Sequence, residues 1–142
     1  MIVQFHGITF DAPDGWQDVT ESLPEGSPPT ISKASGASAV QFSIAKYRAG
    51  KKPNINPDDL RSFMIDFCKN NSIDLLNIFA KTHNGIMVSG ISSESSDEII
   101  NAWYLSNGRD VVFVTYVGIS KNASILTEEL GEAKEIVSSI SF

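Results

Sequence analysis

Apolar and polar residues alternate over much of this chain, and the places where the alternation stops mark its turns. From Ile2 to Phe10, the apolar residues Val3, Phe5, Ile8 and Phe10 are split by Gly7, which predicts two short strands around a tight turn or bulge. Thr30 to Ala34 and Ala39 to Arg48 predict a hairpin turning at Ser35-Gly36-Ala37-Ser38, with Val40, Phe42 and Ile44 on one face. Ile73 to Thr82 and Ile86 to Ser92 predict another pair, joined at Asn84-Gly85. The strongest signal is Ile99 to Val117, where two β-rich runs flank Asn107-Gly108, a dipeptide that readily takes the positive φ angles of a type I′ turn. Both sides of Val111 to Val117 carry apolar residues, so this run is expected to be a central strand covered on both faces.

Two stretches change period from two to about 3.6. Asn56 can cap a helix, Pro57 suits its first position, and Asp58 and Asp59 complement the positive end of its dipole. Leu60, Phe63, Met64, Phe67 and Cys68 then form one apolar face, ending near Asn70-Asn71. In the second stretch Leu126, Leu130, Ala133, Val137 and Ile140 make the packing stripe, with Glu128, Glu129, Glu132 and Glu135 expected on a solvated face. The predicted class is α+β in one domain, 1–142. An antiparallel β-sheet of about six to seven strands, built from hairpins, is flanked by two amphipathic helices at about 57–70 and 124–138.

Length and composition agree with one domain: 142 residues, 42% of them hydrophobic, suffice for a single core. The formal charge of −6 disfavours direct nucleic-acid binding and favours a partner with a basic surface. Gln17 to Pro29, with three prolines and Gly26, reads as an exposed loop. Lys46, Arg48, Lys51 and Lys52 read as a solvated strand end and loop, or as a docking patch for an anion. The N-terminus lacks a basic region followed by a long apolar one, and no run of about 18 apolar residues occurs, so no membrane association and a cytoplasmic location are expected.

Catalytic patterns are missing. The one cysteine, Cys68, falls on an apolar helix face where a thiol is packed and poorly ionised. His6 and His83 lie in or at the ends of strands, where a lone histidine is more often a surface group than a base. No Gly-x-Ser-x-Gly elbow, phosphate loop or dinucleotide fingerprint occurs. The pairs Asp58-Asp59 and Asp97-Glu98 are sequence neighbours and cannot face each other across a substrate. No catalytic residue, cofactor or metal site is therefore expected, and the chain is not read as an enzyme.

Phe10-Asp11-Ala12-Pro13-Asp14-Gly15-Trp16 resembles the motif Phe-x-x-Pro-x-Gly-Trp of the PsbP-like superfamily, which includes DcrB-type proteins and EagR-type secretion chaperones. The resemblance implies an antiparallel sheet sandwiched by helices and used as a binding scaffold. A small, acidic domain without catalytic groups also looks like the immunity proteins of bacterial contact-dependent toxins. Such a protein would bind and neutralise a cognate toxin domain, a nuclease for example, by occluding its active site. The carboxylates that could meet a basic cleft are Asp14, Asp18, Glu21 and Glu25 in one acidic loop and Glu94, Asp97 and Glu98 in another. The alternative is an EagR-like chaperone that shields apolar segments of an effector.

Overall fold

A computed structural model describes residues 1–34, 36, 38–95, 97–119 and 123–142. Among them the elements run β1 (Ile2–Phe5), β2 (Ile8–Asp11), β3 (Trp16–Asp18), β4 (Thr30–Lys33), β5 (Ala39–Ala45), α1 (Pro57–Asn70), β6 (Phe79–His83), β7 (Ile86–Glu94), β8 (Glu98–Ser106), β9 (Val111–Ile119) and α2 (Ala123–Ser138). Seven strands form one antiparallel sheet in the order β3-β4-β5-β9-β8-β7-β6, and β1 and β2 form a separate two-stranded ribbon. The α+β class predicted from periodicity is the observed one, and β9 is the middle strand of the seven.

One sheet face is the main core. Val112, Val114 and Tyr116 of β9 lie in register with Leu105, Trp103 and Asn101 of β8 and with Ile44, Phe42 and Val40 of β5. The β1-β2 ribbon and α2 close over this face. Phe5 and Phe10 pack on Phe42 with ring centroids 4.9 and 5.6 Å away, and Leu126, Ala133, Ile136, Val137 and Ile140 of α2 are buried with them. A pair of backbone hydrogen bonds between Thr9 and Ser141, 2.9 and 2.8 Å, ties the end of the chain to β2. On the other face α1 packs on β7 and β8 through Met64 and Cys68, and Phe67 reaches Phe113 at 5.2 Å. It reaches no further: Val117 and Ile119 of β9 remain 42% and 59% exposed, so the expected two-sided cover stops short of that end.

The helix cap is formed as expected. Asn56 Oδ1 accepts from the Asp59 amide, Asp59 Oδ2 accepts from the Asn56 amide, both at 2.9 Å, and Pro57 opens the helix.

Turn chemistry departs from expectation in one place. Asn84 and Gly85, at φ 51° and 77°, join His83 to Ile86 as a two-residue turn with the I′ signature. Asn107-Gly108 instead opens a four-residue connection, because Ser106 pairs with Val111. Side chains decide this. Asn107 Oδ1 accepts from the amides of Arg109 and Asp110 at 3.0 and 2.8 Å, and Ser106 Oγ accepts from Gly108 and donates to the Asp110 carbonyl. The wider turn buries Asp110, whose carboxylate takes the Tyr47 amide at 2.7 Å and pairs with Arg109 at 3.0 Å.

Three further segments differ from the sequence reading. The strand expected from Ile73 begins only at Phe79, after a 3-10 turn over Leu75–Asn77. The loop expected over Gln17 to Pro29 includes part of edge strand β3 and a 3-10 turn, Thr20–Ser22. Glu129 is not solvated: it is 2% exposed and accepts from Tyr116 Oη at 3.0 Å and from the Ser38 amide at 3.2 Å. Three residues beyond Leu126 and four before Ala133, it belongs to the packing stripe by geometry. Of the predicted turns, Ser35, Ala37, Ser96 and Ser120 to Asn122 lie outside the described residues.

Candidate functional site

The acidic residues singled out from sequence fall into two groups at different places on the sheet. Asp18 lies on edge strand β3, Asp14 just before it, and Glu21 and Glu25 in the connection from β3 to β4, and all four are exposed. Their backbone is held at short intervals. Asp18 Oδ1 accepts from the amide and hydroxyl of Thr20 at 3.0 and 2.6 Å, and the Thr20 hydroxyl accepts from the Thr30 amide at 2.9 Å. The Val19 amide donates to the Thr30 carbonyl and the Phe42 amide to the Pro29 carbonyl. Trp16 packs against the main core beneath them. Burial pushes the Asp18 carboxyl up, but the Thr20 hydrogen bonds and the His6 ring, 3.3 Å away, outweigh it and hold the carboxyl below its ordinary value.

Glu94, Asp97 and Glu98 are also exposed, at the connection between β7 and β8. Those strands are sixth and fifth from the β3 edge. At about 4.8 Å per strand, the two acidic groups are roughly 20 Å apart across the sheet, so the fold does not merge them into one patch.

Sequence reasoning missed a second feature, a cleft of about 510 Å³ between the β6 edge and the C-terminal end of α2. Its floor is the core-side face of β6, β7 and β8 and is built in rows. Asn101 and Ser92 form one end, Trp103 stands beside Phe79 in the next row, and Leu105 beside Val88 and Lys81 follows. The opposite wall is α2 and the residues after it, with Lys134 at the rim. Gly90 shapes the floor: a Cβ there would come 2.3 Å from Phe79 Cζ, so only glycine lets the ring lie across the sheet. The signal was present in the sequence. Asn101 is in phase with Ile99, Trp103 and Leu105 at two-residue spacing, so period two alone places a carboxamide on the core face.

The remaining candidate groups are engaged or far apart. Cys68 is fully buried against the sheet, and burial pushes its thiol up, away from a reactive thiolate. His6 lies in the turn of the β1-β2 ribbon and His83 at the end of β6. Lys46 donates to the Gly7 carbonyl, so one member of the basic stretch is already occupied. Among the described residues no helix is long and apolar enough to cross a membrane.

No protein-family model matches the chain, and no curated protein matches it. Solved structures do. The chain is similar to cyanobacterial PsbP (CyanoP) from Synechocystis sp. PCC 6803, with 14% identity, a TM-score of 0.60 and coverage of 95% of this chain and 86% of that one. It is similar also to a protein from Bacteroides thetaiotaomicron VPI-5482, with 13% identity, a TM-score of 0.59 and coverage of 94% of this chain. It spans 44% of that second protein's length. At such identities the likeness concerns architecture alone, and the chain has a PsbP-like fold.

Proposed function

We propose that the protein is a binding module, not an enzyme, and that it acts as an immunity protein. In this role it works in the cytoplasm and neutralises a cognate bacterial toxin domain by covering its active site. The observation that carries the reading is the β3 edge and the connection after it, where Asp14, Asp18, Glu21 and Glu25 stay exposed and the backbone between Asp18 and Thr30 is pinned by hydrogen bonds. A pre-ordered surface loses less conformational entropy on association than a mobile loop. Carboxylates on it can face the arginines and lysines with which a nuclease holds phosphates, and the net charge of −6 speeds the encounter. Glu94, Asp97 and Glu98, across the sheet, act at most as a rim.

The chaperone alternative draws support from the apolar walls of the cleft, and size counts against it. A membrane-spanning helix of about 20 residues fills roughly 2,500–3,400 Å³. The cleft offers about 510 Å³.

The immunity reading requires a toxin domain encoded beside this chain, and it is tested by co-expressing that domain with it. Co-expression should restore growth and yield a stoichiometric complex on gel filtration. The combined change Asp18→Lys, Glu21→Lys and Glu25→Lys should weaken the complex by about 100-fold or more at low salt, equivalent to about 2.7 kcal/mol. Charge reversal at Glu94, Asp97 and Glu98 should weaken it much less. Absence of a complex at micromolar concentration would sink the reading.

A further inference from the structure

We propose that the cleft between the β6 edge and the end of α2 is a binding site for a small amphipathic anion, a molecule with an apolar body, an acidic head and a polar acceptor at its far end. The proposal is independent of the protein-binding role assigned to the β3 edge.

Size favours a small molecule: about 510 Å³ falls within the roughly 300–1,000 Å³ typical of ligand pockets. The middle of the floor is apolar and aromatic, with Trp103, Phe79, Leu105 and Val88 available to an apolar body. Charge runs against the grain of the molecule. The chain has 17 acidic residues, yet the cleft lining has none and includes Lys81 and Lys134, both exposed. In an acidic protein such a mouth attracts an anion locally.

The Asn101 end of the cleft supplies the second, independent observation. Asn101 is 1% exposed, and its Nδ2 has no hydrogen-bond partner. Among the described residues, three buried side-chain polar atoms lack one: Trp16 Nε1, Ser89 Oγ and Asn101 Nδ2. Of these residues only Asn101 lines the cleft. A buried amide donor left without an acceptor is costly, and a small rotation of the carboxamide would offer it to a hydroxyl or carbonyl oxygen of a ligand. From the row of Asn101 and Ser92 to the row of Lys81 and Val88 is four strand residues, about 13 Å, the reach of an extended medium-chain acid.

The test follows Trp103 fluorescence in a Trp16→Phe background while titrating ω-hydroxydecanoate, decanoate and decanediol. The hydroxy acid should bind tightest. Decanoate, lacking the acceptor, and decanediol, lacking the anion, should each bind about tenfold more weakly. Asn101→Leu, which breaks no existing hydrogen bond at Nδ2, should erase the preference for the hydroxy acid over decanoate. Combining Lys81→Ala with Lys134→Ala should erase the preference for the hydroxy acid over the diol and leave the fold unchanged by circular dichroism. Equal binding of the three probes, absence of saturable binding up to millimolar concentration, or preferences that survive both sets of substitutions would overturn the proposal.

Discussion

At the β3 edge the chain turns four carboxylates outward over a backbone held by repeated hydrogen bonds, whereas at the β6 edge it leaves an apolar hollow rimmed by lysines. The same helix serves both. Glu132 of α2 pairs with Lys33 of β4 at 2.9 Å, and the buried Glu129 takes the Tyr116 hydroxyl, so this part of α2 is anchored toward β4 and the centre of the sheet. Further along, Lys134 and Val137 to Ser141 form the far wall of the cleft. A short edge strand backed by a half-buried tryptophan makes a filled, polar edge. An edge strand exposed at every position, over a face that α2 only partly covers, makes a hollow one. The difference comes from what each edge packs against.

The largest effect that would test this contrast is the loss of each edge's tryptophan. Trp103→Ala, at a buried floor position, should cost about 3–5 kcal/mol in urea unfolding. Trp16→Ala, at a half-buried position, should cost nearer 2 kcal/mol. Equal losses would mean that the filled edge is as integral to the core as the hollow one, and the contrast would fail.

Next in size is the anchor the two edges share. Glu129→Ala leaves the Tyr116 hydroxyl and the Ser38 amide without this acceptor and opens a cavity, for an expected loss of about 2–4 kcal/mol. Tyr116→Phe removes one donor and should cost about 1 kcal/mol. If both changes cost the same, the carboxylate does little beyond meeting that hydroxyl.

The smallest effect belongs to the acidic edge itself. Asp18 has a folded-state pKa below its ordinary value of 3.8, so its contribution is present above that pH and is lost as pH falls through the lower folded value. Its side chain is 48% exposed, which limits the contribution to under about 1 kcal/mol. Asp18→Asn should therefore lower the unfolding midpoint slightly at neutral pH, and a thermal-melt series should show the gap closing below about pH 4. A gap that persists to pH 2 would point to packing in place of charge.

Most of the secondary structure was legible because its causes are local. Alternation placed β5, β7, β8 and β9, and the Asn56, Pro57 and Asp59 cap placed the start of α1. The type of turn at Asn107 was not legible, since Ser106, Asn107 and the need to bury Asp110 against the Tyr47 amide outweigh the preference of the dipeptide. The candidate surfaces were half legible. Exposure of the carboxylates follows from loop composition, but their separation into two groups depends on strand order, which puts β3 at one margin and the β7-β8 connection most of a sheet away.

The sequence by itself determined the class, most of the strands though not β3, the two helices and the excess of acid, because periodicity, capping and charge act within a few residues or through a simple sum. Only the tertiary structure decided where α2 ends over the sheet, and with it that the core-facing Asn101 lines a cleft and that its amide nitrogen stays unpaired. Both outcomes depend on how far one helix covers one face. That extent is set by packing among residues distant in the chain, and no local pattern encodes it.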